Sequence, residues 1–219
     1  MKVGIDGVLL GVWADVDNTK RILDIGTGTG LIALMLAQRS DSNVVAIDID
    51  RDAVLQAKEN IKNSPWLERV EVHESSLQEF VTSSTCFFDL IVSNPPYFVN
   101  SLKTPSESRT AARHTDLLTH EELIENAIRL LTPVGRICVI LPVNEGLQCV
   151  SFAQSKGLYS TKQVAVLPKP GAIAKRLLLE FSLIPTQQME TSELVIEAEE
   201  RHHYSPEFIE LAKDFYLKL

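Results

Sequence analysis

The stretch Leu23-Asp24-Ile25-Gly26-Thr27-Gly28-Thr29-Gly30 limits the folds open to this chain more than any other part of it. A β-branched run leads into it and a stretch of helical period, 31–38, leads out, so the glycines occupy a strand-to-helix turn. There they let the backbone reverse sharply and let a ligand approach bare peptide at the start of a helix. The spacing narrows the ligand. A dinucleotide fingerprint, G-x-G-x-x-G, needs glycine at position 31, and that residue is Leu31. The three glycines alternate instead, as G-x-G-x-G.

The rest of the chain repeats the strand-then-helix rhythm. Short β-branched runs predict strands over 21–25, 44–48, 70–73, 89–93, 136–141, 159–167 and 177–183. Helical periods predict helices over 31–38, 52–63, 120–131, 145–155 and 206–217. This is the pattern of an α/β fold with a mostly parallel seven-stranded sheet. Only Pro168-Lys169-Pro170-Gly171 separates the last two strands, which predicts an antiparallel hairpin at one sheet edge. No linker divides the 219 residues, so one domain over 1–219 is expected.

Apolar runs are too short to cross a bilayer, and no apolar signal segment follows the start. Cys86, Cys138 and Cys149 are widely spaced and form no C-x-x-C pair, which predicts reduced, mostly core thiols, no zinc site and a cytoplasmic protein. A net charge of -8 excludes a sequence-blind binder of nucleic acid, because such binding needs clustered cations, but it leaves room for a local basic patch. His202 and His203 lack metal-ligand partners at useful spacing and are read as surface residues, and no metal is expected.

Two further features carry chemistry. Asp48 ends the second predicted strand, where doubly wound folds present a carboxylate to a ribose diol; its neighbour Asp50 reads better as a helix N-terminal acid. After the fourth strand comes Asn94-Pro95-Pro96-Tyr97, on the sheet edge that also carries the glycine loop. The two prolines remove two amide donors and fix both φ angles, displaying the Asn94 side chain and the Pro95 carbonyl as acceptors. A planar amino group is a poor nucleophile because its lone pair is delocalised. Two acceptors on its N–H groups draw the nitrogen toward tetrahedral geometry. Tyr97 offers a stacking face, an interaction of roughly 1–3 kcal/mol per base. The connection after Ser93 runs about 25 residues, beyond the usual few for such a loop, which marks it as functional.

Asp24 with the alternating glycines, Asp48 and Asn94 to Tyr97, in that order, resemble the motifs of Rossmann-like class I S-adenosylmethionine-dependent methyltransferases. The resemblance implies that Asp24, Gly26, Gly28 and Gly30 bed the cofactor's amino-acid half and that Asp48 holds its ribose. It implies an adenine contact at Ser76, where many such enzymes carry Asp. Asn-Pro-Pro-Tyr is shared by adenine-N6 and protein-glutamine methyltransferases, and the four residues alone do not separate them.

The flanking stretches do separate them. Met1 to Gly11, the loop with Arg109-Thr110-Ala111-Ala112-Arg113-His114, Pro168-Lys169-Pro170 with Lys175-Arg176, and the ending Asp214-Phe215-Tyr216-Leu217-Lys218 are similar to bacterial tRNA(Val) adenine-N6 methyltransferases. That family methylates an anticodon-loop adenosine, and it usually has Thr in place of Ile5 and a further short N-terminal stretch, so this chain is expected to be shortened or differently started. Glutamine methyltransferases carry a helical domain before the glycine loop, where only 1–20 stand here. The resemblance thus implies a tRNA-modifying enzyme with Asn94, Pro95 and Tyr97 as catalytic residues, and the chain is expected to be a monomer. Pro96, Arg109, Arg113, Lys169, Lys175 and Arg176 are its implied substrate contacts. Read without the family, Arg109 and Arg113 fit phosphate contacts and solvent-facing charges equally, the hairpin bases fit phosphates, and Asp6-Gly7 fits a cover over the cofactor. A non-catalytic cofactor-binding module is the third alternative.

Overall fold

A computed structural model describes residues 4–95, 118–198 and 203–216. Its elements run α1 (Ile5–Trp13), β1 (Arg21–Ile25), α2 (Leu31–Arg39), β2 (Asn43–Asp48), α3 (Arg51–Lys62), β3 (Val70–Glu74), α4 (Leu77–Ser83) and β4 (Phe88–Ser93). They continue as α5 (His120–Leu130), β5 (Leu131–Pro142), α6 (Val143–Ser155), β6 (Tyr159–Leu167), β7 (Arg176–Ser182), β8 (Glu190–Val195) and α7 (Pro206–Ala212), which ends in a 3₁₀ turn over Lys213–Phe215.

One sheet orders these strands β3-β2-β1-β4-β5-β7-β6-β8. The first five are parallel, and β7 runs antiparallel to both β5 and β6. Alternate residues of each inner strand face opposite apolar layers. Ile22, Val92, Cys138 and Ile140 pack under α1, α2, α3 and α7, whereas Leu23, Ile91, Ile137 and Val139 pack under α4, α5 and α6. Burial of each such side chain contributes about 1.5–3 kcal/mol, so the two layers hold the sheet rigid beneath its turns. Trp13 and Trp66, partly buried, pack against the first layer. Cys138 and Cys149 are buried free thiols and Cys86 is exposed. Burial pushes the Cys138 thiol well up and that of Cys149 to about 12, so both stay protonated.

Among the described residues the sheet has eight strands, not the seven expected, and the hairpin is not its edge, because β8 pairs in parallel outside β6. Glu190-Thr191-Ser192-Glu193 is exposed along β8 and shows no apolar alternation. Its charge suits an edge that must not recruit further strands, and the same charge hides it from a hydrophobic pattern. Two helices also went unpredicted. Gly7 and Gly11 depress helix propensity in α1, and α4 is seven residues long, announced only by its Ser76/Glu79 capping box.

Candidate functional site

β1 leads through α2 to β2 on one side of the sheet, and β4 lies on the other, so the strand order reverses between β1 and β4. Outside the carboxyl ends of these two strands opens a cavity of about 470 Å³, where ligands bind in folds of this kind. The loop after β1, the end of β2, the start of α4, the end of β4 and the first turn of α1 all line it.

The glycine loop is held in shape from below. Gly26, Gly28 and Gly30 have φ of 71°, 57° and 83°, a left-handed region that only glycine enters without strain. At Gly30 there is a second reason, since a Cβ there would stand 3.3 Å from the Ala57 methyl of α3. Asp24 is fully buried under the loop. Its Oδ2 accepts from the Thr27 hydroxyl at 2.6 Å and from the Ala33 N–H at 3.1 Å, tying loop to helix. Its Oδ1 has no partner among the described residues. Burial, with the Asp48 carboxylate adding to it, raises the Asp24 carboxyl to about 7.

Asp48 lies at the cavity wall. One carboxylate oxygen accepts from the Gly28 N–H at 2.7 Å and the other from the Asp50 N–H at 2.9 Å. Each oxygen keeps a second lone pair, and that is the acceptor pair a vicinal diol needs. Asp50 caps α3, accepting from the Asp52 and Ala53 amides as expected of a helix N-terminal acid. Ser76 also lines the cavity, but its hydroxyl donates to the Glu79 carboxylate and accepts from the Glu79 N–H. One lone pair is all that hydroxyl has left for a ligand.

Asn94 and Pro95 complete the cavity from β4. Ser93 anchors them, its hydroxyl donating to the Ile25 carbonyl at 2.9 Å across the β1–β4 seam. Pro96, Tyr97, Arg109 and Arg113 lie outside the described residues. Leu118, at the far end of that connection, returns to the same cavity. Lys169 and Lys175 are exposed on the β6–β7 hairpin loop. Arg176 begins β7 opposite Pro142 of β5, at the same sheet edge, and its Nε donates to Asp6 Oδ2 at 2.9 Å.

Several wall residues carry no motif. Ile25, Ile47 and Leu77 give an apolar surface, and Ile49 lines it while 52% exposed, a flat apolar neighbour for a ring. Gly4 and Gly7 of the N-terminal segment line it as well, whereas Asp6 is not among the lining residues. The glycine spacing 4, 7, 11 was the available signal. Among the described residues no cluster of His, Cys, Asp and Glu suits a metal, and no helix is long and apolar enough to cross a membrane.

The set fits S-adenosylmethionine: bare left-handed backbone, diol acceptors at Asp48, an apolar slot for adenine, and, buried beneath the loop, an Asp24 oxygen with no partner among the described residues. Residues 8–165 match the methyltransferase small domain family. A tRNA1(Val) (adenine(37)-N6)-methyltransferase from Parabacteroides distasonis is 50% identical over 219 residues, covering 100% of this chain and 92% of that protein. Proteins of the same name from Bacteroides fragilis and Trichodesmium erythraeum are 47% and 45% identical, again over 100% of this chain and 92% of theirs. Among solved structures, a predicted O-methyltransferase from Agrobacterium tumefaciens superposes with a TM-score of 0.72 at 20% identity, covering 95% of both chains. A ribosomal protein L11 methylase from Lactobacillus delbrueckii subsp. bulgaricus superposes with a TM-score of 0.58 at 17% identity, covering 80% of this chain and 76% of that one. These likenesses show a shared methyltransferase fold.

Proposed function

Because the chain belongs to the tRNA1(Val) (adenine(37)-N6)-methyltransferases, within the methyltransferase small domain family, we propose that it transfers a methyl group from S-adenosylmethionine to N6 of adenosine 37 in tRNA1(Val). The observation that carries this reading is the placement of Asn94 and Pro95 in one cavity with the glycine loop and Asp48. Acceptors for a planar amine and a bed for the cofactor then meet at the strand-order reversal.

When bound, S-adenosylmethionine supplies an electrophilic methyl on a sulfonium sulfur. Gly26, Gly28 and Gly30 bare the backbone beneath its amino-acid half, and Asp24 fixes that loop. Asp48 would accept from the ribose hydroxyls, and the backbone at Ser76 would border the adenine. The Asn94 side-chain oxygen and the Pro95 carbonyl accept the two N–H groups of the target amine, localising its lone pair toward the methyl carbon. With the cofactor bound, the amine held by these acceptors would take the methyl, the sulfur would keep the bonding pair, and the proton the amine loses would pass to solvent. Tyr97 and Pro96 cover the unstacked base, since an anticodon-loop adenosine exposes its amino group to an enzyme only when drawn out of the stack. Lys169 and Lys175, with Arg109 and Arg113, contact phosphates. We read residues 1–219 as one domain that acts as a cytoplasmic monomer with tRNA as its partner.

The test is incubation with methyl-labelled cofactor and unmodified tRNA1(Val), followed by digestion and mass spectrometry. Label should appear as N6-methyladenosine at position 37 and vanish from a transcript with guanosine there. Label in a translation release factor and none in tRNA would overturn the substrate assignment while leaving the reaction class.

A further inference from the structure

The body of α1 and its first turn are held by different forces. Val8, Leu9, Leu10 and Val12 are buried, and Gly11 lets the helix close on Met35, whose sulfur would lie 2.7 Å from a Cβ there. Packing of that kind holds a helix firmly. The first turn has less of it. Its N-cap is Gly4, which has no side chain to offer the opening amides.

An ion pair stands at this turn. Asp6, in the first turn, accepts from Arg176 Nε at 2.9 Å, joining residues 170 positions apart. Their side chains are only 17% and 29% exposed, so water screens the pair less than a surface contact. Asp6 also lies at the positive end of the helix. Arg176 is fixed in turn by β7, whose pairing with β5 runs from Arg136 to Pro142. The pair therefore staples the first turn of α1 to the start of β7, where it pairs with the end of β5.

The stapled turn forms a wall of the reaction cavity. Gly7 faces it, and a Cβ on Gly7 would lie 3.4 Å from Leu31 Cδ2 and 4.0 Å from Asn94 Nδ2. The amide whose oxygen must meet the target amine thus has α1 along its nitrogen side. We propose that Asp6 and Arg176 are positioning residues for methyl transfer: their ion pair seats the first turn of α1 beside Asn94 and so holds the amide in its working orientation. This rests on the methyl-transfer reading above, and it gives Arg176 a task other than gripping phosphate.

The experiment uses the full chain with Asp6→Asn, Arg176→Gln and the double variant. Four quantities are read: kcat and KM for tRNA at saturating cofactor, cofactor Kd, the salt dependence of tRNA binding, and hydrogen exchange of amides 5–8. Each single variant should lower kcat about 10-fold, the scale of a small misplacement at a reacting group, and speed exchange in the first turn several-fold. Cofactor Kd should move less than about 3-fold, and the double variant should be no worse than the worse single one, as for two members of one unit. Unchanged kcat, losses that multiply in the double variant, or a kcat deficit that merely follows a lowered melting temperature overturns the proposal. So does a salt slope smaller by about one in Arg176→Gln, the mark of a lost phosphate contact. Hydrogen exchange needs no substrate, so a wild-type protein inactive on tRNA defeats the substrate reading without touching the staple.

Discussion

The five parallel strands and the three that follow β5 divide the work of this molecule differently. In the parallel part, every strand-to-helix turn opens on one sheet edge, and backbone requirements set the site: left-handed φ at Gly26, Gly28 and Gly30, a carboxylate at the end of β2, and proline after Asn94. In the β7-β6-β8 part no helix separates β6 from β7, β8 is polar, and the hairpin offers exposed Lys169 and Lys175. Reaction geometry thus resides in turns that tolerate few sequences. The proposed recognition resides in side chains on a surface that tolerates many, and these two halves should fail in different ways when altered.

The largest expected failure is in the parallel part. Asn94→Ala should lower kcat roughly 10³-fold, the upper range for losing one oriented hydrogen-bonding group, with cofactor Kd nearly unchanged in calorimetry. Matching losses of cofactor affinity and kcat would erase the division between chemistry and cofactor binding within that half. Asp48→Ala should do the reverse. Losing two charge-assisted hydrogen bonds should weaken cofactor binding about 10²-fold or more, with most of kcat recovered at saturation.

Asp24 allows the cofactor bed to be probed by pH. Its carboxyl sits at about 7 in the folded chain against an ordinary 3.8, so between those values the folded chain holds a proton that the unfolded chain has released. The stability this supplies is full below 3.8, falls as pH rises through the window, and levels off above about 7. Denaturant titrations of apo wild type against Asp24→Asn should therefore diverge, wild type losing up to roughly 1.4 kcal/mol per pH unit relative to the variant. A cofactor cation close enough to act on Oδ1 would draw the carboxyl back down, and saturating cofactor should then flatten that difference. A slope indifferent to cofactor would leave Asp24 as scaffold alone.

The same division explains what could be read from the sequence. Asp24, Asp48 and the glycine loop stand where their motifs put them, because strand ends and positive φ leave few residue choices. Buried strands announced themselves through β-branched runs. The β8 strand did not, since Glu190 and Glu193 face solvent and nothing in their spacing reports pairing. Ile49 and Gly7 are wall residues by tertiary placement, with no local signal beyond one apolar residue between two acids and a run of spaced glycines. Arg176 is the instructive case. Its neighbours suggested a phosphate contact, and its carboxylate partner lies at the other end of the chain, in a helix that the glycines concealed.

The smallest expected effect belongs to the hairpin, and it is the sharpest measure of how far recognition is separate from chemistry. Lys169 and Lys175 are exposed, so neither supports the core, and their replacement should leave melting temperature and cofactor Kd alone. In a chain of net charge -8, tRNA affinity rests on few cations. Lys169→Ala and Lys175→Ala should each weaken tRNA binding a few-fold and lower the salt slope by about one, with kcat at saturating tRNA preserved. If both substitutions leave the salt slope untouched, the phosphate contacts lie elsewhere on the molecule, and the hairpin's contribution to the reaction reduces to anchoring α1 through Arg176.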